Sequence, residues 1–299
     1  MYISGGRRAS NSKRIMTHLA VEPNSAGNIL ILLFNISLAA TIVILNLAVF
    51  LSIIFERSLR KENRFIYMMA TCVSDICTGV SWFYVGVFDV LEAFPGRGDT
   101  KFIVPTFMGL SYIVILAAQV DRFHAISWPI QYSQKMTPEK TVLVVGSLWL
   151  YTIIILIICN LVPAGVALQI TGYGTFVANI VTVAIMTGLN IRLYLIAKYQ
   201  LEREAPTPER EAKRSSLYLV IVVASSFLLL WAPIFLRAIF CNLLSFPHPN
   251  IRNTATDPVA ILTRINAVLT PVWYMRGCIP LRELLLGQLR HYCCCTFWR

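Results

Sequence analysis

The 299-residue chain is 57% hydrophobic and only 14% charged, with net charge +11 and mean hydropathy +0.65. A soluble domain carries about 25% charged residues, and here the few charges cluster between long apolar runs, which excludes an ordinary globular protein. Such continuous runs also exclude a transmembrane barrel, and the positive charge fits basic loops against anionic lipid headgroups, so no nucleic-acid partner is expected.

Residues 1–27 form an expected extracellular segment with Arg7, Arg8, Lys13 and Arg14 but no apolar run, so no cleavable signal peptide is expected. Seven apolar segments follow, at about 28–55, 65–91, 102–120, 141–163, 173–197, 215–243 and 256–279. Each holds the roughly 20 residues that a spanning helix needs. The fold class is therefore an all-α membrane protein, a seven-transmembrane helix bundle over 28–279, followed by a cytoplasmic piece at 280–299. The loops 56–64, 121–140 and 198–214 with the tail 276–299 hold sixteen Lys and Arg; the opposite face holds seven. The positive-inside rule places the tail in the cytoplasm and the amino terminus outside.

Polar residues inside such spans are functional candidates by default. Asn46 lies in the first span and Asp75 at mid-depth in the second. Ser111 lies in the third, which ends at Asp121-Arg122-Phe123, before Pro129-Ile130-Gln131-Tyr132 in a short loop. An ion pair at a helix mouth has a bland reading, an arginine snorkelling to the headgroups. The sixth span carries Trp231-Ala232-Pro233 and the seventh Arg264, Asn266, Thr270, Pro271 and Tyr274. Proline inside each of these helices removes a backbone hydrogen bond and marks an expected hinge. Asp75, Ser111, Asn266 and Thr270 offer oxygen ligands for a small cation such as sodium; equally, they are a hydrogen-bonded knot between helices. From Ile279 to Arg290 apolar and polar residues alternate at helical spacing, ahead of Cys293, Cys294 and Cys295. That pattern reads as an amphipathic helix on the inner leaflet, its cysteines palmitoylated or left as free thiols. The eight cysteines form no extracellular framework, and no Cys/His spacing points to a metal or other resident cofactor.

Taken in order and spacing, these residues resemble the rhodopsin-like G-protein-coupled receptor family over about residues 28–295. Asn46, Asp75, Asp121-Arg122-Phe123 for the usual Asp-Arg-Tyr, Trp149, Leu230-Trp231-Ala232-Pro233 and Thr270-Pro271-Val272-Trp273-Tyr274 all stand in register. The resemblance implies a receptor that binds an extracellular ligand and activates a heterotrimeric G protein, with arrestin a further cytoplasmic partner. It makes Arg122 the G-protein contact with Asp121 beside it, and Ile130 the loop residue that inserts into the G protein. It also makes Trp231, Pro233, Pro271 and Tyr274 parts of the switch, and Asp75, Ser111, Asn266 and Thr270 an allosteric sodium pocket. Lys213 stands where many relatives carry an acid that pairs with the arginine, which leads us to expect raised basal activity. The missing disulfide cysteine before the third helix, the short loop 160–172 and Thr182 in place of a proline resemble the melanocortin, cannabinoid and lysophospholipid branch. The run Ala117-Ala118-Gln119 before Val120-Asp121-Arg122 is also similar to adenosine receptors, and a chemosensory orphan fits the same departures.

For the ligand pocket the candidates are Trp82, Tyr84, Phe88, Phe107, Arg237 and Arg264. Val104 occupies the position where amine receptors have an aspartate, and Arg264 the position of the opsin lysine, which disfavours an amine or retinal. The two arginines point instead to an amphipathic anion, unless Arg264 pairs internally with Asp89 or Glu92. A transporter would show an internal repeat of interrupted helices, which is not found, and His18, His124, His248 and His291 are too scattered for an enzyme's catalytic set. A non-signalling receptor of the same fold stays open, because Phe123 and Thr270 depart from the family pattern.

Overall fold

In hydrocarbon every backbone N–H and C=O must be paired within the protein, and a continuous apolar segment meets that demand as a helix. The computed structural model describes residues 19–88, 103–163, 166, 175–200, 203, 207–243 and 254–287. Within them seven long helices occur in chain order: α1 Ala26–Phe55, α2 Asn63–Trp82, α3 Ile103–Ser127, α4 Pro138–Leu161, α5 Thr175–Leu195, α6 Pro208–Leu243 and α7 Pro258–Gly277. Five of the described helices, α1, α2, α4, α5 and α6, are long and apolar enough to cross a membrane by length and composition.

The starts follow local chemistry. Ser25 caps α1 by accepting from the Asn28 amide at 3.2 Å. Thr137 and Asp257 cap α4 and α7, each followed by proline at the first helical turn, where its missing N–H costs nothing. Two boundaries differ from hydropathy for one reason: apolarity marks the membrane slab, whereas a helix continues into water. The third helix runs on to Ser127, so Asp121 and Arg122 sit inside it rather than in a loop. It stops because Trp128 precedes Pro129, which disfavours helical geometry; Trp128 has φ −137 and ψ 66. The supposed loop then forms a further short helix, Pro129–Lys135. Likewise α6 begins at Pro208, well before the apolar run, through charged residues that favour helix. In the second segment α2 ends at Trp82 and gives way to a π-helical turn, Phe83–Val87.

α3 is the central helix, touching α2, α4, α5 and α6, while α7 packs on α1, α2 and α6. The main core gathers Phe65, Cys72, Tyr112, Ile115, Phe227, Trp231 and Tyr274 from α2, α3, α6 and α7. α4 lies at the edge, burying only Thr141, Thr152 and Cys159 and turning Leu143, Leu150 and Ile157 outward. After Cys278 the helical stretch 279–287 buries Leu281 against the main core and half-buries Leu284 and Leu285, leaving Arg282 and Glu283 exposed. It is the amphipathic element expected there; residues 1–18 and Cys293, Cys294 and Cys295 lie outside the described residues.

α1 and α2 approach most closely at Gly79, where an added Cβ would meet Ile42 Cγ2 at 2.8 Å and Val43 Cγ2 at 2.9 Å. Both neighbours are β-branched and cannot easily yield. Gly79→Val is therefore expected to destabilise the bundle by about 1–3 kcal/mol. Gly146→Ala, with nothing within 4 Å, serves as the neutral control. Thermal midpoints of the two variants in lipid nanodiscs check this; equal midpoints would refute the close-approach account.

Candidate functional site

At one end of α3 the Asp121 carboxylate is a hub. Arg122 donates to its Oδ2 from Nη2 at 2.7 Å and from Nε at 3.2 Å. Tyr132, on the short helix after α3, donates its hydroxyl to Oδ1 at 2.9 Å. Asn63, at the start of α2, donates to the Tyr132 oxygen at 2.8 Å. The Asp121 side chain is 1% exposed and that of Arg122 17%, so the pair is shielded enough to outweigh an ordinary surface ion pair. Burial pushes the Tyr132 phenol above its ordinary pKa, which keeps it a donor. His124 meets Tyr132 edge-on at 5.6 Å, and Phe123 meets Trp128 at 6.0 Å, bracing the short helix against α3. Sequence reasoning quoted Tyr132 only as a loop aromatic and gave Asn63 no role; the 11-residue step from Asp121 to Tyr132 gave no signal without the turn at Pro129.

A cleft opens beside this hub between α2, α3, α6 and α7. Arg122 lines it together with Arg64, Tyr67, Met68, Val223 and Tyr274. Ile130 projects from the short helix and is 72% exposed, and Lys213 is exposed near the start of α6.

Farther into the bundle, Ser111 donates to Asp75 Oδ1 at 2.7 Å and sits 2.9 Å from Ser74 Oγ. The structure thus joins α2 and α3 at two of the four cation-pocket candidates. Thr270 turns its hydroxyl back to the Asn266 carbonyl at 2.9 Å. Asp75 Oδ2, Asn266 Oδ1 and Asn46 Oδ1 are buried acceptors without a donor. Buried oxygen acceptors without a donor among the described residues fit a hard cation such as sodium, which takes oxygen ligands. The Asn46 amide donates to the Ala267 carbonyl at 2.9 Å, the group that Pro271 four residues on leaves without its helical partner.

Trp231 lies in an aromatic cluster, its ring 4.8 Å from Phe227, 5.8 Å from Phe235 and 6.0 Å from Tyr112 across on α3. A second interhelical link runs through Gln119 on α3, Asn190 on α5 and Ser225 on α6. Gln119 is fully buried and donates to Asn190 at 3.4 Å, and Asn190 donates to Ser225 at 2.7 Å. Neither Asn190 nor Ser225 stood out in the sequence, because single amides and hydroxyls in apolar helices carry no spacing signature.

At the opposite end the six ligand-pocket candidates are not gathered into one pocket. Trp82 and Arg264 meet, the guanidinium carbon 4.4 Å from the indole centroid. Arg237 is instead paired with Asp257 at 2.8 Å, because α7 starts beside the last turns of α6. Phe107 packs toward α4, its ring 6.4 Å from Trp149. Tyr84 and Phe88 are exposed at 58% and 37%, and Phe88 pairs with Leu19 in an isolated antiparallel bridge. Asp89 and Glu92, the alternative partners for Arg264, lie outside the described residues.

Residues 45–167 match the family described as 7 transmembrane receptor (rhodopsin family). Among curated proteins the chain is similar to the muscarinic acetylcholine receptor gar-2 of Caenorhabditis elegans, 28% identical over 166 residues. That alignment covers 51% of this chain and 23% of the relative, so the chain spans about a quarter of the length of the protein it matches.

Removing the Tyr132 hydroxyl strands one lone pair of a buried carboxylate. Tyr132→Phe is expected to cost about 1–2 kcal/mol, and in a double-mutant cycle Asn63→Ala adds little to it because both act through one oxygen. Thermal unfolding of the four proteins tests the hub; strict additivity would refute it.

Proposed function

We propose that this chain, a multi-pass membrane protein of the rhodopsin-like seven-transmembrane receptor family, converts binding of an extracellular ligand into activation of a heterotrimeric G protein. One observation carries the reading: Arg122 stands at the rim of a cleft between α2, α3, α6 and α7, one edge held by Asp121. A guanidinium held by one reversible partner can turn to a protein that enters the cleft, exchanging an internal contact for an external one. The sixteen basic residues on that face support its cytoplasmic placement, in the plasma membrane with the amino terminus outside. Arrestin would use the same cleft. Exposed Ile130 is placed to bury itself in the docked partner, and Tyr274 on the cleft wall to move with α7. The three tail cysteines, as palmitoyl sites, would pin the segment after 279–287 to the inner leaflet.

Proline at 233 and 271 gives α6 and α7 a place to bend, and the aromatic cluster at Trp231 couples that bend to α3. The relative's name assigns it acetylcholine; Val104 here, in place of the aspartate of amine receptors, argues for a different, lipid-like or anionic ligand. Asp75, Ser111, Asn266 and Thr270, with Asn46, would hold a sodium ion, which supplies positive charge to the orphaned acceptors.

The bond from Asn190 to Ser225 is a neutral contact that ties α6 to α5 and, through Gln119, to α3. One hydrogen bond contributes about 1 kcal/mol, so Ser225→Ala is expected to raise ligand-free nucleotide exchange by about fivefold. Arg122→Ala is expected to abolish exchange. Receptor in nanodiscs with purified heterotrimers of several G-protein classes provides the readout, and exchange that persists in Arg122→Ala would defeat the coupling reading. In the same assay sodium chloride should lower basal exchange relative to choline chloride, and Asp75→Asn should remove the difference.

A further inference from the structure

Arg264 is 5% exposed, and no described carboxylate forms an ion pair with it. Its Nη1 donates to the Ala260 carbonyl at 2.7 Å and to Thr263 Oγ1 at 2.8 Å, both uncharged acceptors on its own helix. Its Nε is buried without a partner. The acid nearest in its electrostatic surroundings, Asp257, is committed to Arg237 at 2.8 Å and to the Val259 amide at 3.1 Å. A buried guanidinium held only by an aromatic face and two neutral oxygens leaves its desolvation poorly compensated.

The surroundings are built rather than incidental. Trp82, fully buried, offers its ring to the guanidinium and donates its indole N–H to Asn35 Oδ1 at 3.1 Å. Asn35 in turn donates to the Ala255 carbonyl at 3.1 Å, tying α1 to the turn that precedes α7. Ala20 and Val21 pack on Ala255 above, and the Ala20 amide donates to the Val87 carbonyl at 2.9 Å. Leu38 and Ile42 of α1 pack with Ile261 and Ala267 of α7 in an apolar cluster along the same helices.

We propose that the Nε–Nη2 edge of Arg264 binds the carboxylate of an amphipathic ligand, between α1, α2 and α7. The edge fits that class because its two parallel N–H groups match the two oxygens of a carboxylate, whereas Nη1 is already used. A phosphate monoester, with up to two charges and three oxygens, would want a second cation, and Arg237 is paired elsewhere. The assignment rests on the receptor reading above and names the ligand chemistry for it.

The test uses the full chain in lipid nanodiscs with dodecanoate as probe and dodecanol and dodecyl phosphate as chain-matched comparators. Dodecanoate is expected to raise the thermal midpoint by about 2 °C or more, with no rise from dodecanol. Arg264→Gln should remove the shift, and Arg264→Lys, which keeps the charge but loses the fork, should reduce it. If Arg264→Gln does not fold, Arg264→Lys decides: an undiminished shift overturns the proposal. So do an equal rise with dodecanol, a larger rise with dodecyl phosphate, or no rise with dodecanoate in the parent chain. A shift that appears only in Asp89→Asn/Glu92→Gln overturns it as well, since those carboxylates then hold the edge. Because the midpoint is read without G protein, loss of coupling with a retained carboxylate shift removes only the coupling reading, and the converse removes only this one.

Discussion

The hydrogen bond from Asn46 to the Ala267 carbonyl is the contact on which the rest of the bundle depends. Proline inside a membrane helix strips a carbonyl of its partner four residues back, and in hydrocarbon no water replaces it. Pro271 does this in α7, and the amide of Asn46 reaches across from α1 to answer it at 2.9 Å. The bond lets α7 keep a hinge without an unpaired group there, and it fixes α7 against α1 so that Asp75, Asn266 and Tyr274 belong to one interior. Replacing Asn46 by leucine would fill the volume and still leave the carbonyl bare.

The two ends of the molecule use charge differently. Around Asp121 a cation and a phenol share one carboxylate and an amide backs the phenol, a network whose three partners come from three different elements. At Arg264 a cation is more deeply buried, but its partners are an indole face and neutral oxygens. In the first the guanidinium has a carboxylate partner; in the second its Nε has none among the described residues. Between them lie the buried acceptors Asp75 Oδ2, Asn266 Oδ1 and Asn46 Oδ1, which have no donor among the described residues.

The neutral chain from Gln119 through Asn190 to Ser225 ties α6 to α3 by way of α5. Neutral hydrogen bonds contribute less than a buried ion pair and are not screened by salt.

Much of this was legible in the chain. Continuous apolar runs fix helices because backbone pairing allows nothing else in lipid. The prolines of α6 and α7 and the carboxylate–guanidinium pair at 121 and 122 announce themselves, since such residues are costly at those depths. Tertiary structure alone decided what each polar group touches. Hydropathy placed Asp121 in a loop because it reads the slab and not the helix, and the turn at Trp128-Pro129 then carried Tyr132 back onto it. Arg237 and Arg264 look alike in sequence, as lone cations in apolar helices. One meets Asp257 and the other Trp82, a difference set by the packing of α7 against α6 on one side and α2 on the other. Spacing along a helix encodes its face, whereas the partner across the gap depends on how helices from distant parts of the chain are set against each other.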